Sequence, residues 1–260
     1  MASPAGEVGT QKEIASDEGL DRHLLLEEEI NMSKWVQLKA ADGHELSAYL
    51  ATPKGAAKAA LVVVQEIFGV NSHIRSVADS FAREGYLAIA PALFDRFERG
   101  VELSYEGADM QRAFGFYQQL KPETTLRDVA AAFQHVQGGH KTGVIGYCYG
   151  GLTAWMSATR GPAAGMRPDC TVGYYPGGIG SVAAERPSCP VLLHFGEKDT
   201  HIGVEQIDAV RKQNYPDVTV FVYPEAEHGF NCDARGSFSA AASQLARERT
   251  LQFLGKHLLG

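Results

Sequence analysis

The sequence predicts an α/β fold, a mostly parallel twisted sheet flanked by helices on both faces, and three observations carry that reading. From Trp35 onward, short apolar runs alternate with helical stretches of about a dozen residues, the signature of repeated β-α-β units. One run, Ala59 to Gln65 (AALVVVQ), shows no alternation, as expected of a central parallel strand buried on both faces. The third is KTGVIGYCYGGLT at Lys141 to Thr153, where a short apolar run meets Gly146-Tyr147-Cys148-Tyr149-Gly150 and then a helix from Leu152 to Thr159.

The elements follow in order. Met1 to about Asn31 is rich in Ala, Gly and Glu, ends in an acidic cluster (Glu27 to Glu29) and has no strand pattern. It lacks a basic start followed by an apolar stretch, so it is not a secretory signal. It reads as a flexible extension or an expression leader, with one helix over Leu20 to Ile30, and residues 32–260 read as a single domain. Trp35 to Lys39 and Glu45 to Thr52 form a hairpin around Asp42-Gly43. After the strand Ala59 to Gln65, Ser72 to Glu84 is helical, with Ile74, Val77, Ala78 and Phe81 on one face, and Gly85 stops it. Tyr86 to Ala90 is a strand, and Ala92 to Asp109 reads as a long surface loop. Helices follow at Met110 to Leu120 and Thr124 to Val136, then the Lys141 to Thr153 stretch. Strands at Cys170 to Tyr175, Val191 to Phe195 and Val218 to Tyr223, and helices at Ile202 to Gln213 and Ala240 to Leu258, complete the chain.

Strand, Gly-x-nucleophile-x-Gly, helix is the nucleophile elbow of the α/β-hydrolase fold, here with Cys where Ser is commoner. Glycines two residues either side let strand and helix approach closely while the nucleophile is thrown clear of the backbone. The turn also sets Cys148 at a helix N-terminus, where partial positive charge favours a thiolate. A free cysteine is more often a small buried hydrophobe, so the motif needs partners. In this fold they come in the order nucleophile, acid, histidine, each just past a strand. Asp199 follows Val191 to Phe195, and His228 follows Val218 to Tyr223. Asp199 would hold one tautomer of His228, and the imidazole would face the sulfur. His194, His201 and His257 are weaker choices, lying inside a strand, beside Asp199 and on the closing helix. The backbone N–H groups of Tyr149 and Ile67 are the expected oxyanion donors, the latter from the loop after the early strand.

Composition excludes several alternatives. Net charge is −7 and charged residues are 21% of the chain, which argues against nucleic acid or an anionic membrane as partner. No apolar run reaches the roughly 20 residues of a spanning helix. The four cysteines (Cys148, Cys170, Cys189, Cys232) are scattered without a C-x-x-C pair, giving neither a zinc ribbon nor a disulfide framework. The nine histidines show no H-x-H or H-x-x-x-H spacing, so no dedicated metal site is expected. A free thiol suits the cytoplasm.

Four segments together carry a resemblance: QEIFGVN at Gln65 to Asn71, GYCYGG at Gly146 to Gly151, the Gly-x-x-Asp at Gly196 to Asp199, and EHGF at Glu227 to Phe230. They resemble the dienelactone hydrolases (carboxymethylenebutenolidases), and the likeness runs from Ser33 to Leu259, including GYLAIAP at Gly85 and ARERTLQFL at Ala246. The resemblance implies a Cys-His-Asp hydrolase of esters or lactones that needs no cofactor. It also implies that Glu66 lies next to the sulfur and helps deprotonate it when substrate binds. It implies that Arg112 binds a substrate carboxylate, while a second arginine of the family falls at Cys232 here and a tyrosine at Phe116. Arg235, a few residues on, is the available substitute. With anion recognition altered, a neutral or aryl ester suits a pocket lined by Phe68, Phe94, Phe97, Phe116 and Tyr149. The expected partner is therefore a small ester, lactone or phosphoester, met by a monomer or homodimer. Two other readings are the same triad acting on phosphotriesters, and a non-catalytic fold that senses thiol chemistry or binds a ligand through Cys148.

Overall fold

The computed structural model describes residues 1, 2 and 33–260. The expectations for residues 1–31 as an extension, and for a helix at Leu20 to Ile30, lie outside the described residues. Strands β1 (Ser33–Lys39) and β2 (Glu45–Ala51) form the hairpin foreseen, turning at Gly43 with φ of 86°. After β3 (Ala59–Val64) come α1 (Ser72–Arg83) and β4 (Tyr86–Pro91), then α2 (Gly107–Tyr117) and α3 (Pro122–Gln137). The second half runs β5 (Thr142–Tyr147), α4 (Tyr149–Ala164), β6 (Cys170–Tyr174), β7 (Val191–Gly196), α5 (Val204–Arg211), β8 (Val218–Tyr223) and α6 (Ala240–Leu254). The eight strands form one sheet in the order β1-β2-β4-β3-β5-β6-β7-β8. Only β2 with β1 and β2 with β4 pair antiparallel, and every other neighbour is parallel.

The unbroken apolar strand is explained by what covers it. Leu61 and Val63 of β3 face a cluster with Ile74 and Phe81 of α1 and Ala246 and Leu254 of α6. Ala60, Val62 and Val64 face the other way, onto Leu126, Val129 and Phe133 of α3. Helices on both faces leave no position in the strand that solvent could reach. Local signals set the helix ends. The Asn71 side chain accepts the Ile74 amide at 3.2 Å to cap α1, and Gly138, in the left-handed region, follows α3.

Two elements differ from expectation. The segment Ala92 to Asp109 is not a surface loop. Leu93–Arg96 form a 3₁₀ turn, Leu93, Phe94, Val101 and Leu103 are buried, and α2 begins at Gly107. Its anchor is a guanidinium: Arg96 grips the buried Asp128 of α3 through two bonds of 2.7 Å and reaches Asp42 at 3.0 Å. Such long-range pairing has no period to read. The other difference is α4, which starts at Tyr149 and runs through Pro162 to Ala164. Gly150 and Gly151 look like helix breakers, but in the first turn they serve close packing instead.

Candidate active site

The turn between β5 and α4 is strained. Cys148 has φ 55° and ψ −115°, a conformation that costs a non-glycine residue about 1–3 kcal/mol. Neighbouring glycines make it possible. A Cβ at Gly146 would sit 1.9 Å from the Gly150 carbonyl oxygen, and one at Gly150 would sit 2.2 Å from that of Val64. The Cys148 amide donates to the Tyr174 carbonyl at 3.0 Å, which ties the turn to the neighbouring strand. Cys148 is half-buried, whereas Cys170, Cys189 and Cys232 are buried. Burial pushes the thiols of Cys189 and Cys232 up, to about 12 and about 11, and raises that of Cys170 as well, so these three are inert as nucleophiles.

The loops after β7 and β8 bring Asp199 and His228 together. The Glu197 amide donates to the Tyr223 carbonyl at 2.9 Å and the Lys198 amide to that of Ala226 at 2.8 Å, stitching one loop to the other. Gly196 permits this approach, since a Cβ there would lie 2.4 Å from the Ala226 carbonyl oxygen. Asp199 is fixed at both oxygens. Oδ1 accepts the amides of His201 and Ile202 at 2.8 and 3.1 Å, and Oδ2 pairs with His228 Nδ1 at 2.8 Å. The His228 ring is buried, 5.0 Å from the rings of both Tyr175 and His201. Burial alone would lower its pKa. The negative charge of Cys148 and the bond to Asp199 outweigh that and lift it to about 10, so the sulfur and the imidazole are electrostatic partners.

Cys148, His228, Ile67 and Tyr149 line one cavity of about 440 Å³. Tyr149 begins α4, so its amide has no acceptor within the helix and is free to act on a ligand. Its hydroxyl pairs with Thr125 Oγ1 at 2.8 Å. Phe68, Met110, Phe114 and Tyr117 make the apolar wall, and His201 and Arg235 the polar part.

Several expected pocket residues lie elsewhere. Met110, Phe114 and Tyr117 share one face of α2 at i, i+4 and i+7, so that face meets the cavity. Arg112 therefore falls on another face, exposed and paired with Glu98. Phe116 falls on the buried face and stacks on Phe94 at 4.9 Å. Phe97 packs behind it and is partly exposed. Of the five aromatics expected, Phe68 and Tyr149 reach the cavity. Cys232 is buried outside the cavity lining, and Arg235 supplies the cation that it does not. Glu66 is fully buried, and its Oε1 lies 3.5 Å from Arg235 Nη1. The Arg235 guanidinium is thus a polar partner of this carboxylate. His194, buried in β7, bonds Tyr223 and Thr250, and burial drops its pKa to about 3, so it is a neutral structural group. Periodicity could have found the α2 wall had the phase of that helix been used. Arg235 carried no sequence signal beyond nearness to His228.

The sheet order and the strand–turn–helix at Cys148 define an α/β-hydrolase fold. The family model described as the dienelactone hydrolase family matches residues 46–258. A "Putative carboxymethylenebutenolidase" of Azospirillum brasilense is 35% identical over 233 residues, covering 86% of this chain and 98% of that protein. A carboxymethylenebutenolidase of Pseudomonas putida is 29% identical over 232 residues, covering 86% of this chain and 96% of that protein. The crystal structure of a "Putative Dienelactone Hydrolase" from Klebsiella pneumoniae superposes with a TM-score of 0.73 at 29% identity, covering 87% of this chain and all (100%) of that one. The chain belongs to the dienelactone hydrolase family and is a hydrolase of ester or lactone bonds. Among the described residues, no helix is long and apolar enough to cross a membrane.

Proposed function

We propose that the chain cleaves a small ester or lactone through Cys148, His228 and Asp199, by way of a thioester. The observation that supports this reading is the bond of His228 Nδ1 to Asp199, which leaves Nε2 available to the Cys148 sulfur lining the same cavity. The Cys148 thiolate attacks the acyl carbon, and the carbonyl electron pair moves onto oxygen, which the Tyr149 and Ile67 amides receive. Collapse breaks the bond to the leaving oxygen, which takes its proton from His228 Nε2. The imidazole, now neutral, removes a proton from water as the water oxygen attacks the thioester. The second collapse expels the Cys148 thiolate and releases the acid. Rapid mixing with p-nitrophenyl acetate should give a burst of nitrophenolate equal to the enzyme, with one acetyl group on the Cys148 peptide by mass spectrometry. Acetyl on another residue, or a linear trace with no adduct, counts against the mechanism. A nitrophenyl phosphotriester run beside it separates carboxylic from phosphoric ester chemistry.

The cavity also suggests the kind of ester. Its walls are mainly apolar, and among the described residues that line it Arg235 is the one Lys or Arg. That guanidinium lies over the rings of Tyr105 and Phe68, at 5.4 and 5.9 Å from their centres. A substrate with an apolar body and a carboxylate fits this division. Arg235→Ala is expected to raise KM for a carboxylated ester by about 10- to 100-fold, the worth of one charged hydrogen bond. A neutral ester of the same size should change little, and equal losses on both would remove Arg235 from recognition.

A further inference from the structure

A second cluster of chemically active side chains lies outside the residues that line the cavity. Glu66, His73 and Cys232 each present one donor atom, and the three atoms lie within 4.8 Å of one another. Glu66 and Cys232 are fully buried, and His73 is 8% exposed. The chain brings them from three places: the turn after β3, the first turn of α1 and the loop after β8.

Two of these side chains hold polar atoms that nothing satisfies. Glu66 Oε2 and His73 Nε2 are buried without a hydrogen-bond partner, and so is the hydroxyl of Tyr175, whose charge environment includes Glu66 and Cys232. A buried carboxylate oxygen and a buried imidazole nitrogen left unpaired are each costly, so a ligand in reach of both is the economical explanation. The remaining atoms are already engaged in the way a metal site engages them. Glu66 Oε1 faces Arg235, which leaves Oε2 to point elsewhere. His73 Nδ1 lies 3.5 Å from Oδ1 of Asp233, an exposed carboxylate on the far ring nitrogen. The Cys232 sulfur meets the hydroxyl of Tyr105, which Asn71 Nδ2 holds at 3.2 Å.

We infer that Glu66 Oε2, His73 Nε2 and Cys232 Sγ bind a zinc-class divalent transition metal. Carboxylate, imidazole and thiolate together exclude magnesium and calcium, which take oxygen donors. Zinc accepts this mixed set at bond lengths of about 2.0–2.3 Å, which asks for donors roughly 3.5 Å apart, and a short inward movement of the side chains supplies it. As the sulfur–metal bond forms, the thiol proton leaves to solvent, and a water completes the coordination. The spacing rules found no such site because its ligands stand at positions 66, 73 and 232. The inference does not depend on Cys148 being the nucleophile.

The test uses the full chain loaded with Zn²⁺ and, separately, with Co²⁺, whose thiolate charge-transfer absorption in the near ultraviolet reports a bound sulfur. One ion per chain should remain after gel filtration, with the cobalt band present. Cys148→Ala should keep both, since the active-site thiol is not a ligand. Cys232→Ser should lose the band, and His73→Gln should weaken Zn²⁺ binding by at least 10- to 100-fold. Both variants should turn over p-nitrophenyl acetate as the parent does, which shows that they fold. No retained ion in the parent, or a band that survives Cys232→Ser and vanishes in Cys148→Ala, overturns the site.

Discussion

Cys148→Ala is expected to lose ester turnover by about 10⁴- to 10⁶-fold with the fold intact. The turn is strained at that residue and Gly146 and Gly150 leave no room for a side chain, so the strain presents a single atom, the sulfur. Removing a nucleophile that acts as a unit with its base removes nearly all the chemistry, and what survives comes from binding and the oxyanion amides. Alanine at this position keeps the backbone path, so circular dichroism should match the parent. An NMR titration gives a second readout. The negative charge of Cys148 is the leading influence raising His228 against burial, so in the alanine variant the imidazole should titrate well below about 10. Cys148→Ser should also be poor, because an alcohol yields no nucleophilic anion near neutral pH where a thiol does. Turnover of p-nitrophenyl acetate at the parental rate in Cys148→Ala would sink the assignment.

What could be read from the chain, and what could not, divides by the range of the interaction. The strands, the Cys148 turn and the order Cys148, Asp199, His228 were legible because each rests on a local rule: an apolar run, a glycine that a turn requires, a residue just past a strand. The bond that joins Asp199 to His228 spans two loops, yet sequence order predicts it, because parallel neighbours β7 and β8 deliver their loops to the same edge of the sheet. Features set by helix phase or by distant charges were not legible. Arg112 and Phe116 stand two residues and one residue from cavity-facing positions on α2, and a helix turns about 100° per residue, so a near miss in sequence is a full change of environment. Ala92 to Asp109 lacks a period because Asp128, more than thirty residues on by number, anchors it through Arg96. Glu66 shows the same limit. Its position beyond β3 was clear, but its facing Arg235 depends on a loop 169 residues away.

Asp199→Asn carries the second large effect, a fall in kcat of about 10⁴-fold. Asp199 does two things at once: Oδ1 is locked by the amides of His201 and Ile202, and Oδ2 receives the His228 Nδ1 proton. An asparagine can keep the first role through its carbonyl oxygen. Its NH₂ then faces Nδ1, which must accept, so Nε2 carries the proton and can no longer take one from water. The pH profile distinguishes this from simple loss of structure. In the parent, His228 is raised from its ordinary 6.5 to about 10, so the imidazolium is fully formed below about 6.5 and is lost as pH rises through about 10. The basic limb of kcat/KM for an alkyl ester, whose leaving oxygen needs the imidazolium proton, should therefore fall near pH 10. With the carboxylate gone, one of the two groups raising His228 is removed, and the limb should move toward neutrality while the acyl-enzyme burst persists, slowed. An Asp199→Asn enzyme with parental rate and an unmoved basic limb would mean that His228 is oriented by something other than this carboxylate, and the triad would reduce to a Cys–His pair.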